Sequence, residues 1–140
     1  MYKRFYFNPD AKYQGIILMV ENFDEINLKV KEFIEEVQKK YRISQVYIYG
    51  SFAKDTSHRW SDIDLAIISP DFSDDTLDDR MTLMRIGASI DDRIEPYPFS
   101  PNRFNSTDPL VNEICENGIQ IVWTYQNGIG ELPNHKACRE

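Results

Sequence analysis

The sequence predicts an α/β (α+β) domain, with a small mixed β-sheet, helices packed mainly on one face and an N-terminal β-hairpin. Three observations support this class. Segments with apolar residues at intervals of three and four alternate with short runs rich in β-branched and aromatic residues. These runs are too few to close a barrel, so one open sheet covered by helices is expected. The 140 residues, 41% of them hydrophobic, suffice for one core and therefore one domain.

The first predicted elements are a hairpin and a helix. Residues 2–7 and 13–20 are rich in aromatic and β-branched side chains, and the intervening Asn-Pro-Asp-Ala sequence at 8–11 is typical of a turn. Asp24 is the predicted N-cap of the following helix. The apolar residues of this helix recur on one stripe, namely Ile26, Val30, Phe33, Ile34, Val37 and Tyr41.

The middle of the chain predicts two strands and a second helix. Residues 46–49 form a β-rich run that stops at Gly50-Ser51, and residues 63–68 form a second run of the same kind. A long helix is expected over 75–89. Its apolar residues at helical spacing are Leu77, Met81, Met84 and Ala88.

The last part of the chain predicts a strand, a helix and a final strand. Residues 93–99 are extended, and their two prolines cannot donate to a β-ladder, so this strand is expected at a sheet edge. Asp108-Pro109 opens a third helix and Asn117-Gly118 closes it. Residues 119–123 form the last strand. The predicted organisation is a hairpin extension at 1–22, one domain at 23–124 and a polar tail at 125–140.

Charge and composition exclude several classes of protein. With 16 Lys+Arg against 23 Asp+Glu the net charge is −7, so non-specific coating of nucleic acid is not expected. No apolar run approaches the roughly 20 residues that span a bilayer. The Asn-Pro-Asp sequence at 8–10 interrupts the N-terminal segment before a secretory apolar region, so a cytoplasmic location is expected. Cys115 and Cys138 form no CxxC motif and no paired framework, which argues against a disulfide scaffold or a structural zinc site.

The Gly50-Ser51 pair at the end of a strand is a candidate phosphate-binding turn. A strand that turns into a short helix exposes unpaired backbone N–H groups, and Gly50 has no Cβ to keep a phosphate away from them. Ser51 adds a hydroxyl, and the helix N-terminus adds partial positive charge. Taken alone, such a pair is more often a structural turn in which the serine caps the helix, so its meaning depends on the residues around it.

Asp62 and Asp64 form a pair of carboxylates that favours a functional interpretation of this turn. Side chains two residues apart in a strand point to the same face, separated by about 6.5 Å along the strand. Ile63 and Leu65 then face the other side, where they can be buried. Two carboxylates about 4 Å apart repel by roughly 4 kcal/mol at an effective dielectric constant of about 20. A divalent cation removes this repulsion, and oxygen ligands suit Mg²⁺ or Mn²⁺ better than zinc. The alternative is a strand end with two solvated aspartates.

A third carboxylate is expected from a neighbouring strand. In the segment 93–96, Ile94 is the natural core residue, so Glu95 faces the side on which the two aspartates lie. Asp91 and Asp92 are closer to the start of the strand and are weaker candidates.

Gly-Ser, ten further residues and Asp-x-Asp between two hydrophobic strands resemble the DNA polymerase beta-like nucleotidyltransferase superfamily. The closest resemblance is to its minimal nucleotidyltransferases (the MNT type), many of which are encoded beside a HEPN-domain protein as a toxin–antitoxin pair. The resemblance covers roughly residues 26–123 and leaves out the hairpin and the tail. Asp55 stands where the family usually has glycine, and the third carboxylate is a glutamate followed by proline.

The resemblance implies the polymerase beta-like nucleotidyltransferase fold and a metal-dependent enzyme that transfers a nucleoside monophosphate, AMP from ATP, to a hydroxyl. It also implies two Mg²⁺ or Mn²⁺ ions. The implied nucleotide-binding residues are Gly50, Ser51, Lys54 and Arg59. The implied catalytic and metal-binding residues are Asp62, Asp64 and Glu95.

The expected acceptor is a protein tyrosine on a cognate HEPN toxin, which would make the chain an antitoxin. No nucleic-acid template and no membrane partner are expected, and an exposed edge of the hairpin would invite homo-oligomer formation. Two alternatives stay open. One is nucleotidylation of a small molecule such as an aminoglycoside, and the other is a non-catalytic module that neutralises its partner by contact, for which Asp55 is the only hint.

Overall fold

The computed structural model describes residues 4–7, 24–53 and 61–123, which contain three helices and five strands. In chain order these elements are β1 (Arg4–Phe7), α1 (Asp24–Gln38), β2 (Gln45–Tyr49), β3 (Ile63–Ile68), α2 (Leu77–Ile90), β4 (Ile94–Phe99), α3 (Pro109–Asn117) and β5 (Ile119–Trp123). The types and order of the elements match the prediction. None of the described helices is both long enough and apolar enough to cross a bilayer.

The five strands form one mixed sheet in the order β1-β5-β2-β3-β4. β2 is antiparallel to both of its neighbours, β5 and β3, whereas β1 is parallel to β5 and β4 is parallel to β3. The predicted α+β class with a mixed sheet is therefore confirmed. The first strand of the predicted hairpin is present as β1 and pairs with β5, while the turn and second strand at 8–20 lie outside the described residues.

The larger part of the core lies between the sheet and helices α1 and α2. Phe33 and Ile34 of α1 and Leu83 of α2 are fully buried, and they belong to one cluster with Ile48 and Leu65 of the central strands. Alternation along β2 and β3 sends every second side chain into this cluster. Two of the three helices thus cover one face, in agreement with the prediction.

Helix α3 covers part of the opposite face. Val111 and Ile114 of this helix pack with Phe99, Phe104 and Ile68 in a second buried cluster. Asp108 caps the helix by accepting a hydrogen bond from the Leu110 N–H at 2.8 Å. The β3 residues in this second cluster are Ala66 and Ile68, which lie towards the end of the strand. The sheet face around Asp64, near the start of the strand, is therefore covered less completely than the other face.

Strand β4 is at the edge of the sheet, as its prolines predicted. The carbonyls of Arg93 and Phe99 accept hydrogen bonds from β3 and from the residue after it, so odd-numbered residues direct their backbone groups towards β3. Pro96 and Pro98 are at even positions and point their nitrogens to the open edge. No ladder hydrogen bond is lost to either proline.

Two expectations need correction. Cys115 is disulfide-bonded, whereas the lack of a CxxC motif and of a paired framework had argued against a disulfide scaffold, because spacing along the sequence does not limit which thiols meet in space. Helix α2 begins at Leu77 rather than at residue 75, since the Asp75 side chain accepts a hydrogen bond from the Leu77 N–H at 3.2 Å and so precedes the helix.

Candidate active site

Asp62 and Asp64 lie at the start of β3, and their surroundings differ. Ile63 and Leu65 are fully buried in the core beneath α1 and α2, so the two aspartates face the other side of the sheet. Asp62 is exposed and Asp64 is half-buried. The alternation of side chains along a strand accounts for this arrangement.

Glu95 is brought beside Asp64 by the register of two parallel strands. Asp64 is the pairing partner of Glu95, and Ile63 is the pairing partner of Ile94. Ile94 is buried in the core, so Glu95 projects to the face that carries Asp64, and it is exposed there. Three carboxylates from two neighbouring strands therefore share one end of one sheet face.

The electrostatics of Asp64 reflect this crowding. Partial burial, followed by the negative charges of Asp62 and Glu95, raises the pKa of the Asp64 carboxyl to about 6. Each of these causes disfavours the ionised form. A ligand with positive charge would reverse this balance.

The turn after β2 brings the backbone of Gly50 against the Asp64 carboxylate. Tyr49, the last residue of β2, pairs with Asp64, and Gly50 follows with a positive φ of 71°. A Cβ at Gly50 would lie 2.2 Å from Asp64 Oδ2 and 3.2 Å from its Cγ. Glycine is therefore required here by the backbone conformation and by the contact with Asp64. The approach of a phosphate to Gly50, inferred from the sequence, stays a prediction.

The other predicted nucleotide-binding residues are only partly within the described structure. Ser51 is half-buried in the turn at 51–53 that follows Gly50, and it is engaged in an interaction. Lys54 and Arg59 lie outside the described residues, as does Asp55. Gly50 is thus adjacent to the Asp64 carboxylate, and the nucleotide-binding assignments of Gly50, Ser51, Lys54 and Arg59 stay predictions.

The donor set of the site suits a hard divalent cation. Asp62, Asp64 and Glu95 offer carboxylate oxygens alone, which Mg²⁺ and Mn²⁺ prefer, and each repels the others in the absence of a cation. Within the described parts of the chain, no three His, Cys, Asp or Glu side chains are close enough together to form a metal cage. The three carboxylates thus lie on one surface and interact electrostatically, but their oxygens do not converge on one point.

Sequence reasoning missed three residues that border the carboxylates. Tyr49 is half-buried, and its burial together with the charge of Asp64 raises the pKa of its phenol to about 12, so it is neutral near pH 7. Arg80 of α2 lies over the ring of Tyr97, with its Cζ 5.1 Å from the ring centroid. Its positive charge lowers the pKa of Tyr49, in opposition to burial and to the charge of Asp64. The two-residue spacing from Glu95 could have identified Tyr97, but no sequence signal indicated Arg80.

The family described as "Nucleotidyltransferase domain" matches residues 30–117 of the chain. The chain belongs to this family. The matched range includes Gly50, Ser51 and the three carboxylates, and it supports the assignment of the chain as a nucleotidyltransferase.

Several solved structures are similar to the chain. A toxin–antitoxin structure with AMP-PNP is 22% identical over 71% of this chain and 73% of that chain, with a TM-score of 0.47. A mutant of the toxin–antitoxin MntA–HpeT is 20% identical over 77% of each chain, with a TM-score of 0.45. A provisionally assigned nucleotidyltransferase from Sulfolobus solfataricus is 18% identical over 82% of this chain and 100% of that chain, with a TM-score of 0.47. No curated protein is significantly similar in sequence.

Proposed function

We propose that this nucleotidyltransferase transfers AMP from ATP to a hydroxyl group of a protein acceptor, a tyrosine on a HEPN-type toxin, and so acts as the antitoxin in the cytoplasm. The observation that carries the proposal is the position of Asp64. Its half-buried carboxylate lies between those of Asp62 and Glu95 and against the Gly50 turn. The tyrosine acceptor and the HEPN partner rest on the resemblance of the motif to minimal nucleotidyltransferases.

The three carboxylates have distinct positions in this proposal. Asp64 is half-buried beside the Gly50 turn, whereas Asp62, which precedes it along the chain, and Glu95, on the neighbouring strand, are exposed. Two Mg²⁺ or Mn²⁺ ions held by these side chains would offset the charge of the triphosphate and ease deprotonation of the acceptor hydroxyl. Because the donors are oxygens alone, zinc is a poorer fit.

The reaction is an in-line displacement at phosphorus. The acceptor oxygen forms a bond to the α-phosphorus, its O–H bond breaks, and pyrophosphate leaves with the electrons of the broken P–O bond. In this proposal the backbone N–H groups of the turn at Gly50 and the Ser51 hydroxyl would hold the β- and γ-phosphates. Glu95 is on the edge strand at the other side, where the acceptor can enter. Catalysis by this chain is then mainly positioning and charge compensation.

A protein acceptor agrees with the charge and surface of the chain. The net charge of −7 disfavours a nucleic-acid template. The exposure of Asp62 and Glu95 leaves the carboxylates accessible to a bulky partner, whereas an enzyme for a small sugar would be expected to enclose its acceptor.

The proposal is tested with the product of the gene that neighbours this one, expressed as the candidate toxin, incubated with the wild-type chain, Mg²⁺ and ATP and then analysed by intact mass. One adenylyl increment on the toxin is expected. The double variant Asp62→Asn with Asp64→Asn should lower the rate by at least about a hundredfold. Asp74→Asn is the matched control, because Asp74 is exposed in the loop before α2.

The outcomes separate the alternatives. A toxin that is neutralised equally well by the double variant, with no gain in mass, would show that contact is sufficient. Transfer of AMP to an aminoglycoside and not to the toxin would identify a small-molecule enzyme. A melting temperature of the double variant that is no lower than that of Asp74→Asn excludes misfolding as the cause of lost activity.

A further inference from the structure

Helix α2 carries apolar side chains on two opposite sides. On the inner side Leu83 and Gly87 are buried against the sheet. On the outer side Leu77, Met81 and Met84 are 63%, 44% and 47% exposed. They are three of the four large hydrophobic residues exposed in the described parts of the chain, so the outer side of α2 concentrates the exposed apolar surface.

The outer residues form a regular seam. Leu77, Met81, Met84 and the exposed Ala88 are separated by intervals of four, three and four residues. This is the spacing with which two helices pack side by side. At 3.6 residues per turn the seam lies nearly opposite Leu83, so packing against the sheet cannot cover it. The stripe that predicted the helix is therefore not the stripe that faces the core.

Two complementary charges lie along one flank of the seam. Asp78 and Arg85 are both exposed and are seven residues apart, which is two helical turns, so they project from the same side. Neither side chain has a hydrogen bond or ion pair with any residue that the structure describes. The other flank contains Arg80, which is engaged with Tyr97.

We infer that the outer face of α2 pairs with the same face of a second copy of this chain, with the two helices antiparallel. In this arrangement Met81 faces Met84 of the second copy and Leu77 faces its Ala88. Asp78 then faces Arg85 across the flank, and two-fold symmetry forms this charge pair twice. In a parallel pair the same flanks lie on opposite sides of the seam, so Asp78 and Arg85 would each face the other flank of the second copy and would form no pair with one another.

The inferred contact involves one helix of 14 residues from each copy, so the interface is small and the association is weak and concentration-dependent. The Asp64 and Glu95 carboxylates lie on the other face of the sheet from α2 and stay open when the helices pair. The inference depends on α2 alone and is independent of the proposed AMP transfer.

Charge reversal tests this geometry, with the mass of the full-length protein measured by sedimentation over a range of concentrations. The wild-type chain should dimerise reversibly. Asp78→Arg and Arg85→Asp should each weaken dimerisation by about tenfold or more, because each makes both charge pairs repulsive. The double variant Asp78→Arg with Arg85→Asp should restore it. An equimolar mixture of the two single variants should also associate, because each supplies the charges that the other lacks.

Two controls complete the test. Asp74→Arg makes the same change of charge away from the seam and should leave dimerisation unchanged, while Met84→Asp should abolish it. Melting temperatures establish that each variant is folded. If the wild-type chain stays monomeric at the highest concentrations, the inference is wrong, and the outer face of α2 would instead be covered by residues 13–20 or by a different protein. Single variants that do not associate when mixed overturn the antiparallel pairing.

Discussion

Replacing Gly50 with alanine should destabilise the protein and remove its activity, and the structure gives the size of the effect. Alanine at a φ of 71° is strained by about 1–2 kcal/mol. The new Cβ would also lie 2.2 Å from Asp64 Oδ2, so the carboxylate must rotate away, and holding it off its preferred rotamer costs about 0.5–1.5 kcal/mol. The total of roughly 1.5–3.5 kcal/mol is a substantial part of the 5–15 kcal/mol by which domains are usually stable.

A double-mutant cycle separates these two costs. In an Asp64→Ala background the carboxylate is absent, and the nearest remaining atom, Asp64 Cβ, is 3.6 Å away, an ordinary contact. Gly50→Ala should then cost only the backbone strain of about 1–2 kcal/mol, measured as the free energy of unfolding in urea.

Gly118→Ala is the matched control for this cycle. Its Cβ would be 2.2 Å from the Ile114 carbonyl oxygen, at a φ of −70° that any residue adopts. Its cost should be the same with and without the Asp64 carboxylate, because the two sites are in different parts of the fold. If Gly50→Ala costs as much in the Asp64→Ala background as in the wild type, the contact with Asp64 is not what requires glycine.

Two further predictions follow from the site and from α3. Because the pKa of Asp64 is raised to about 6 in the folded state, the unfolded chain loses this proton first, and stability should fall as pH rises from about 4 to 6. After allowance for solvent screening the fall is about 1–2 kcal/mol, and urea unfolding across this range should show it in the wild type and not in Asp64→Asn. An identical pH profile for the wild type and Asp64→Asn would contradict the inference that burial and the charges of Asp62 and Glu95 raise the pKa of Asp64. Asp108→Ala removes the cap of α3 and should cost about 0.5–2 kcal/mol in thermal or urea unfolding, while Asp108→Asn should retain most of the stability.

Much of the fold was predictable because its signals are local. The helix over Pro109–Asn117 follows from a capping aspartate, a proline at the first position and a glycine just after the end. The edge position of β4 follows from two prolines that cannot donate to a ladder. The parallel pairing of β1 with β5 has no such signal, because it joins segments more than 100 residues apart along the chain.

The candidate site was predictable to a similar extent. The shared face of Asp62 and Asp64 follows from the geometry of a single strand, so it could be inferred without knowledge of any neighbour. The role of Arg80 could not be inferred, because this residue reaches Tyr97 from a helix that packs on the other face of the sheet.

The sequence alone determined the type and order of the described strands and helices, which side chains alternate along each strand, and the kind of chemistry that a Gly-Ser turn followed by Asp-x-Asp can support. These properties depend on backbone geometry over a few residues. The tertiary structure decided the register that places Asp64 beside Glu95, the contact that makes Gly50 necessary, and the side of α2 that is left open to solvent. Each of these depends on packing between segments far apart in the chain, which local geometry does not determine.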